Sequence, residues 1–477
     1  MAFGLKISAL IFLLSFQSNA FAALPAGLAW EVRTTGADTN GGCYDIANDG
    51  GTDYSQQDSA QLALSDLAMA STGTTLTSAT GGFTAAMVDN CIQITSGTNF
   101  TAGYYEITGH TDTNTVTIDR NATTGSAASS GVGNVGGGLA TIQEAVDNIV
   151  SGNDVYIQDG QYAELVTLPS VNGANGDPVR MIGYVTNHST VPTGASRPDI
   201  TGSDTRANAM NVGSVAGWSF ENIRFHNATG NGVTGNTSAG TTNRFVNCRF
   251  DNNGGIGWSI SQRVSFLGCE FDNNTSHGIG VGVGNGTYFQ SMYYSYFHDN
   301  GGSGVLDGNG TNMKHIIGSV ADTNAGEGFF IKLGTLIGNT SYGNTGSGFR
   351  QQSGSANAAD MIWVDNSSFD NATGFKKDVT TYIDNYFDYN HYEGNTSALS
   401  NFTAGANDVT SDALYTDPAN GDFTISTSSP LIDAGYPFGS NLGLATSLKR
   451  NIGTDHTQAA VGGGGGTNAT GAIAVSF

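Results

Sequence analysis

Positive charge is scarce in this sequence. Of 477 residues only 17 are Lys or Arg, against 40 Asp or Glu, and the formal net charge at pH 7 is −23. That argues against a nucleic-acid partner, because phosphate binding needs clustered basic side chains. An anionic membrane surface is disfavoured for the same reason. The four cysteines, Cys43, Cys91, Cys248 and Cys269, are too few and too scattered for a disulfide-stapled scaffold or a zinc site, so folding rests on packing. No apolar run reaches the ~18 residues a bilayer span needs, so stable membrane insertion is not expected. Charged residues make up only 12% of the chain, which excludes helical bundles laced with Glu/Lys pairs. Glycine, by contrast, occurs 69 times beside abundant Asn, Thr and Ser, a composition that suits β-structure with many tight turns.

The first 22 residues read as a secretory leader: Lys6, an apolar stretch over residues 7–16, and small residues ending Ala20-Phe21-Ala22. Cleavage is expected after Ala22, which places the mature chain outside the cell or on its surface. In an oxidising compartment Cys43 and Cys91 are the expected bridge, while Cys248 and Cys269 read as stacked buried thiols.

From about residue 220 one pattern recurs: an apolar strand, an Asn/Asp turn, then Gly and an apolar residue opening a second strand. It ends on anchor residues Phe225, Phe250, Phe271 and Phe297, with fainter copies ending on Val320, Tyr342 and Phe369. A spacing of roughly 24 residues marks a solenoid, and short strands between Gly/Asn turns make it a β-solenoid. Because side chains alternate along a strand, the residues two before each anchor should form an interior stack: Ile223, Cys248, Cys269, Ser295, Gly318, Thr340 and Ser367. The Asn-rich turns read as architecture, since Asn tolerates left-handed backbone angles.

Here the chain resembles right-handed parallel β-helix proteins of the pectate-lyase-like kind. The opening segments Trp30-Glu31-Val32-Arg33 with Gly36-Ala37-Asp38-Thr39-Asn40-Gly41, and Ala140-Thr141-Ile142-Gln143-Glu144-Ala145-Val146 followed by Gly152-Asn153-Asp154-Val155-Tyr156-Ile157, are similar to those of secreted bacterial members. So are Asp417-Pro418-Ala419-Asn420-Gly421-Asp422-Phe423 and Ser429-Pro430-Leu431-Ile432-Asp433-Ala434-Gly435, which match their closing coils. The resemblance implies the right-handed all-β fold and is almost silent on activity.

The expected organisation is a first strand of the cap over residues 23–42, an inserted small antiparallel β module over 43–138, a parallel β-helix of roughly a dozen coils over 139–453, and a Gly-rich linker and tail over 454–477. Thr141 and Glu144 form a capping box, and Ile142, Ala145, Val146 and Ile149 share one helical face, so a short helix should plug the first coil.

No linear catalytic motif is present: there is no Gly-x-Ser-x-Gly, His-Glu-x-x-His, P-loop or Cys-x-x-Cys. The candidates are therefore ladders across coils. Directly after the anchors come His226, Asp251, Asp272 and His298, each about 5 Å from the next, close enough for carboxylates to share a cation or split their pKa values. Asp251, Asp272 and Asp299 are the candidate metal ligands, with calcium the implied ion, and Asp272 and His298 candidate catalytic groups. A bland reading of the same row is turn residues chosen for Asx bonding. In the segment after the Gly-apolar step, Lys332, Arg350 and Lys376 are expected to gather on an outer face, where Lys332 and Arg350 would act near a scissile uronate, as pectate-lyase-like enzymes do. Lys376, Trp258, Tyr293 and Tyr296 are candidate sugar contacts. The function expected is extracellular carbohydrate binding, as a polysaccharide lyase or a glycoside hydrolase. The alternative is a non-catalytic adhesin or phage-spike-like receptor binder.

Overall fold

A computed structural model describes residues 27–437 and 451–453, apart from residue 49 and the stretches 175–176, 193–195, 237–241, 261, 282–288, 308–312, 353–360 and 379–384. The expected leader and the Gly-rich tail lie outside the described residues.

The chain winds as a parallel β-solenoid. Its first sheet has twelve strands, eleven of them parallel from Leu28–Val32 to Tyr386–Asp388, with Cys43–Asp45 added antiparallel at the edge. The second and third sheets have ten strands each, running from Gln161–Tyr162 to His391–Glu393 and from Val166–Thr167 to Ser397–Ser400. Near-identical coil lengths force in-register stacking, so Phe225, Phe250, Phe271 and Phe297 lie opposite one another, with ring centroids 5.1, 4.6 and 4.9 Å apart. All four are fully buried in one continuous core. At the corner into the third sheet, Asn253, Asn274, Asn300, Asn324, Asn344, Asn371 and Asn395 form a ladder, each amide donating to the next at 2.9 to 3.3 Å.

The last three anchors are corrected. Opposite Phe297 stand Ala321, Ser341 and Ser368, whereas Val320 lies opposite Tyr296, Tyr342 opposite Asp322, and Phe369 opposite Tyr342. A shift of one residue turns a strand side chain to the other face, so Val320, Tyr342 and Phe369 point outward. The inward stack accordingly continues from Ser295 through Ser319, Asn339, Asn366 and Asn390, not Gly318, Thr340 and Ser367, with backbone N–H groups bonding the next side chain at 2.9 to 3.2 Å. The outward apolar residues are nonetheless covered. The segment expected to supply closing coils forms an antiparallel hairpin, Tyr415–Asp417 with Asp422–Ile425, and its Phe423 and Tyr415 pack on Val320, Tyr342 and Phe369. Among the described residues the solenoid has eleven parallel strands in its first sheet and ten in each of the other two.

The helix Ile142–Asp147 caps the first coil, with Ile142, Ala145 and Val146 buried against it. Only half of the capping box forms. Thr141 accepts from the Glu144 N–H, while the Glu144 carboxylate instead accepts from the Tyr104 hydroxyl at 2.8 Å, and Asp38 takes the Thr141 N–H. The insertion is a closed six-stranded barrel with its own core around Leu67, Leu76, Ile92, Ile107 and Val116. A Cys43–Cys91 disulfide ties it to the solenoid cap, and Cys248 and Cys269 are buried free thiols. No helix among the described residues is long and apolar enough to cross a membrane.

Candidate functional site

The outer face of the second sheet carries two parallel rows. One runs Asp199, Arg224, Arg249, Glu270, Tyr296; the other, two residues on along each strand, runs Thr201, His226, Asp251, Asp272, His298, Asp322. Rungs about 4.8 Å apart set the spacing, and the rows cross-link diagonally. Arg224 grips Asp251 with two bonds, one of 2.7 Å, and Arg249 grips Asp272 with bonds of 2.9 and 2.8 Å. Asp251 and Asp272 are fully buried, so bidentate guanidinium pairing is what makes their charge tolerable there. His226 is likewise bonded to Asp199.

The last part of the face is open. His298 Nε2 lies 3.3 Å from Glu270 and its Nδ1 2.8 Å from Asp299, while its ring stacks on Tyr296 at 4.1 Å. The Tyr296 hydroxyl donates to Asp322 at 3.0 Å. Side-chain exposure is 31% for Glu270, 15% for His298 and 52% for Asp299, so a ligand can reach these three. Burial alone would lower the His298 pKa, but the carboxylates of Glu270 and Asp299 outweigh it and push it up to about 9. Glu270 is the converse: burial raises it, and the His298 hydrogen bond and the Arg249 charge hold it below the usual range. Burial lifts Asp322 to about 6 against the pull of His298, and leaves its Oδ1 without a hydrogen-bond partner. Arg197 flanks Glu270 from the neighbouring loop. It bonds Asn247 at 2.6 Å, forms no ion pair among the described residues, and has a buried Nε without a partner.

Of the residues expected from the sequence, the structure brings together Asp251, Asp272, His298, Asp299 and Tyr296. The others are elsewhere. Trp258 is fully buried, edge-on to Phe266 at 5.3 Å, and is core rather than a sugar platform. Tyr293 is on the outside of the first sheet, between Leu267 and Ile317. Lys332 is only 7% exposed, and its N–H donates to buried Asp307 at 3.3 Å, so it does not join an outer cationic face. Arg350 and Lys376 are register neighbours, but Arg350 is held by Glu327 and Asp378 and lies 4.3 Å over Phe330. Arg224, Arg249 and Glu270 were missed. They stand two residues before His226, Asp251 and Asp272, so strand alternation alone puts them on the same face.

Glu270, Asp272 and His298 offer ligand atoms within 4.8 Å of one another. The donor set fits calcium poorly. Calcium takes six to eight oxygen ligands, whereas both Asp272 oxygens are occupied by Arg249 and the His298 imidazole offers nitrogen rather than oxygen.

This chain is thus a parallel β-solenoid with an inserted barrel and a cluster of carboxylates around His298 on one outer face. No known family and no curated protein matches the sequence. Among solved structures it is similar to pectate lyase Pel9A, at 16% identity over 66% of this chain and 91% of that one, with a TM-score of 0.45. It is also similar to an alginate lyase from Paenibacillus sp. str. FPU-7, at 12% identity over 56% and 96% with a TM-score of 0.39. A third likeness is to the catalytic unit of a thermostable GH87 alpha-1,3-glucanase from Streptomyces thermodiastaticus strain HF3-3, at 11% identity over 74% and 96% with a TM-score of 0.33. These likenesses assign no role to any residue here.

Proposed function

We propose that this protein is exported and cleaves an acidic extracellular polysaccharide by elimination at the outer face of the second sheet. The observation that carries this reading is the contact of an ionised Glu270 with a protonated, part-exposed His298 at 3.3 Å. Hydrolysis needs its acid and base about 5 to 9.5 Å apart, on either side of the sugar. A touching pair sits on one side only, which suits removal of the proton beside a uronate carboxylate and delivery of a proton to the departing oxygen. Glu270 is the base, His298 the acid, and Arg197 the cation that neutralises the uronate carboxylate, with Arg249 holding Glu270 ionised. Tyr296 supplies an aromatic face beside them, and the hairpin around Gly421 bounds the face where it meets Tyr296.

The test is a panel of uronate polymers and neutral glucans, with and without calcium, followed by unsaturated-uronate absorbance and by new reducing ends. Unsaturated product without a calcium requirement is expected, with at least ~100-fold lower rates in Glu270→Gln and Arg197→Ala. Reducing ends without unsaturation would mean hydrolysis. No turnover together with tight binding to a cell-surface component would favour the adhesin reading.

A further inference from the structure

The interior of a β-solenoid is lined mostly by apolar and amide side chains, yet one corner encloses a lysine and an aspartate. Asp307 ends the third-sheet strand Val305–Asp307, and Lys314 enters the first-sheet strand Met313–Ile317; both side chains point inward and both are 0% exposed. Lys314 Nζ lies 3.1 Å from Asp307 Oδ1. The other Asp307 oxygen accepts the Lys332 N–H at 3.3 Å. Gln290, beside Lys314 in register and also fully buried, has an Oε1 with no partner.

A dry corner favours the neutral forms of both groups. Desolvation lowers the Lys314 pKa and raises that of Asp307, although each draws the other back toward its charged form. A neutral amine held against a carboxylic acid, with water excluded, is a nucleophile and an acyl group at high effective concentration.

We propose that Lys314 and Asp307 condense to an intramolecular amide. Nζ attacks Asp307 Cγ, and the Cγ=Oδ2 electron pair moves onto Oδ2, where the Lys332 N–H stabilises it. On collapse the Cγ–Oδ1 bond breaks, and Oδ1 departs as water, carrying its own proton and one from Nζ. The remaining Nζ–H can donate to Gln290 Oε1. No oxidant, metal or co-reactant is required. The bond replaces a desolvated amine–acid pair with a neutral amide and staples the corner between the third and first sheets.

The intact mass of the folded chain tests this, compared with the mass expected for its sequence and single disulfide. A deficit of one further water is expected. Trypsin, which cuts after an unmodified Lys314, should skip it and yield one peptide over residues 264–332, lighter by that water, whose fragmentation joins Asp307 to Lys314. Lys314→Arg keeps the charge and should restore the full mass and both cleavages. A native chain of full mass, cut normally after Lys314, overturns the proposal, as does a deficit that survives in Lys314→Arg. The measurement on the parent needs no variant to fold.

Discussion

Arg249 is the residue whose loss should report most sharply on the charged face. In Arg249→Met, Asp272 loses both guanidinium bonds and keeps only the 2.7 Å bond from Asn273, while remaining fully buried. Stranding a buried charge typically costs about 3 to 5 kcal/mol. Because the Arg249 side chain is 26% exposed, water can enter its place, and the lower figure of about 3 kcal/mol is expected. The penalty depends on Asp272 being ionised. It is the penalty of an uncompensated buried charge, so it is expected to be smaller at pH 4.5 than at pH 7. Urea unfolding followed by circular dichroism at pH 7 and pH 4.5 measures both effects, with amide exchange at Phe250 and Phe271 locating the loss within the repeat array. Arg249→Met/Asp272→Asn should recover most of the stability. Arg224→Met should cost less, because Arg249 Nε still stands 3.7 Å from the Asp251 it leaves behind. A cost of Arg249→Met under about 1 kcal/mol at pH 7, the exposed-pair range, an equal cost at both pH values, or no recovery on adding Asp272→Asn would refute a buried, guanidinium-dependent Asp272 charge.

Three further outcomes follow from the same physics. His298, raised to about 9, contributes stability that is fully present below its unfolded pKa and is lost as pH rises through 9; NMR titration should show that value falling in Glu270→Gln, and activity should decline above it. His391 is buried between Ser367 and the Ser411 carbonyl, and burial pulls its pKa down to about 4, so its contribution, about 3 kcal/mol, is present above pH 6.5 and lost as pH falls toward 4; a Ser or Asn in its place should flatten the acid limb of the stability profile. Thiol titration should find no reactive group in the native protein, two after denaturation and four after reduction, and Phe250→Ala, which empties the centre of the aromatic stack, should cost about 3 to 5 kcal/mol.

The sequence by itself determined the solenoid, because a regular spacing of Phe225, Phe250, Phe271 and Phe297 can bury all four rings only if the coils stack in register. It also determined the capping helix, through the Thr141 cap and the apolar face of residues 142–149, and the ladder His226, Asp251, Asp272, His298, since strand alternation is a local rule. Tertiary structure alone decided which surface buries an apolar side chain. Val320 and Phe369 recur at nearly the right spacing, yet they are covered from outside by Phe423 and Tyr415, more than forty residues later in the chain. Hydrophobicity records that a residue is buried, not by what. The same holds for charge. Sequence spacing placed Asp251 and Asp272 side by side, but only the fold shows that Arg224 and Arg249 reach diagonally across a rung to claim them, that Lys332 is buried, and that Glu270, His298 and Asp299 remain part-exposed. Pairing depends on side-chain reach between coils, and that distance exists only after the coils have stacked.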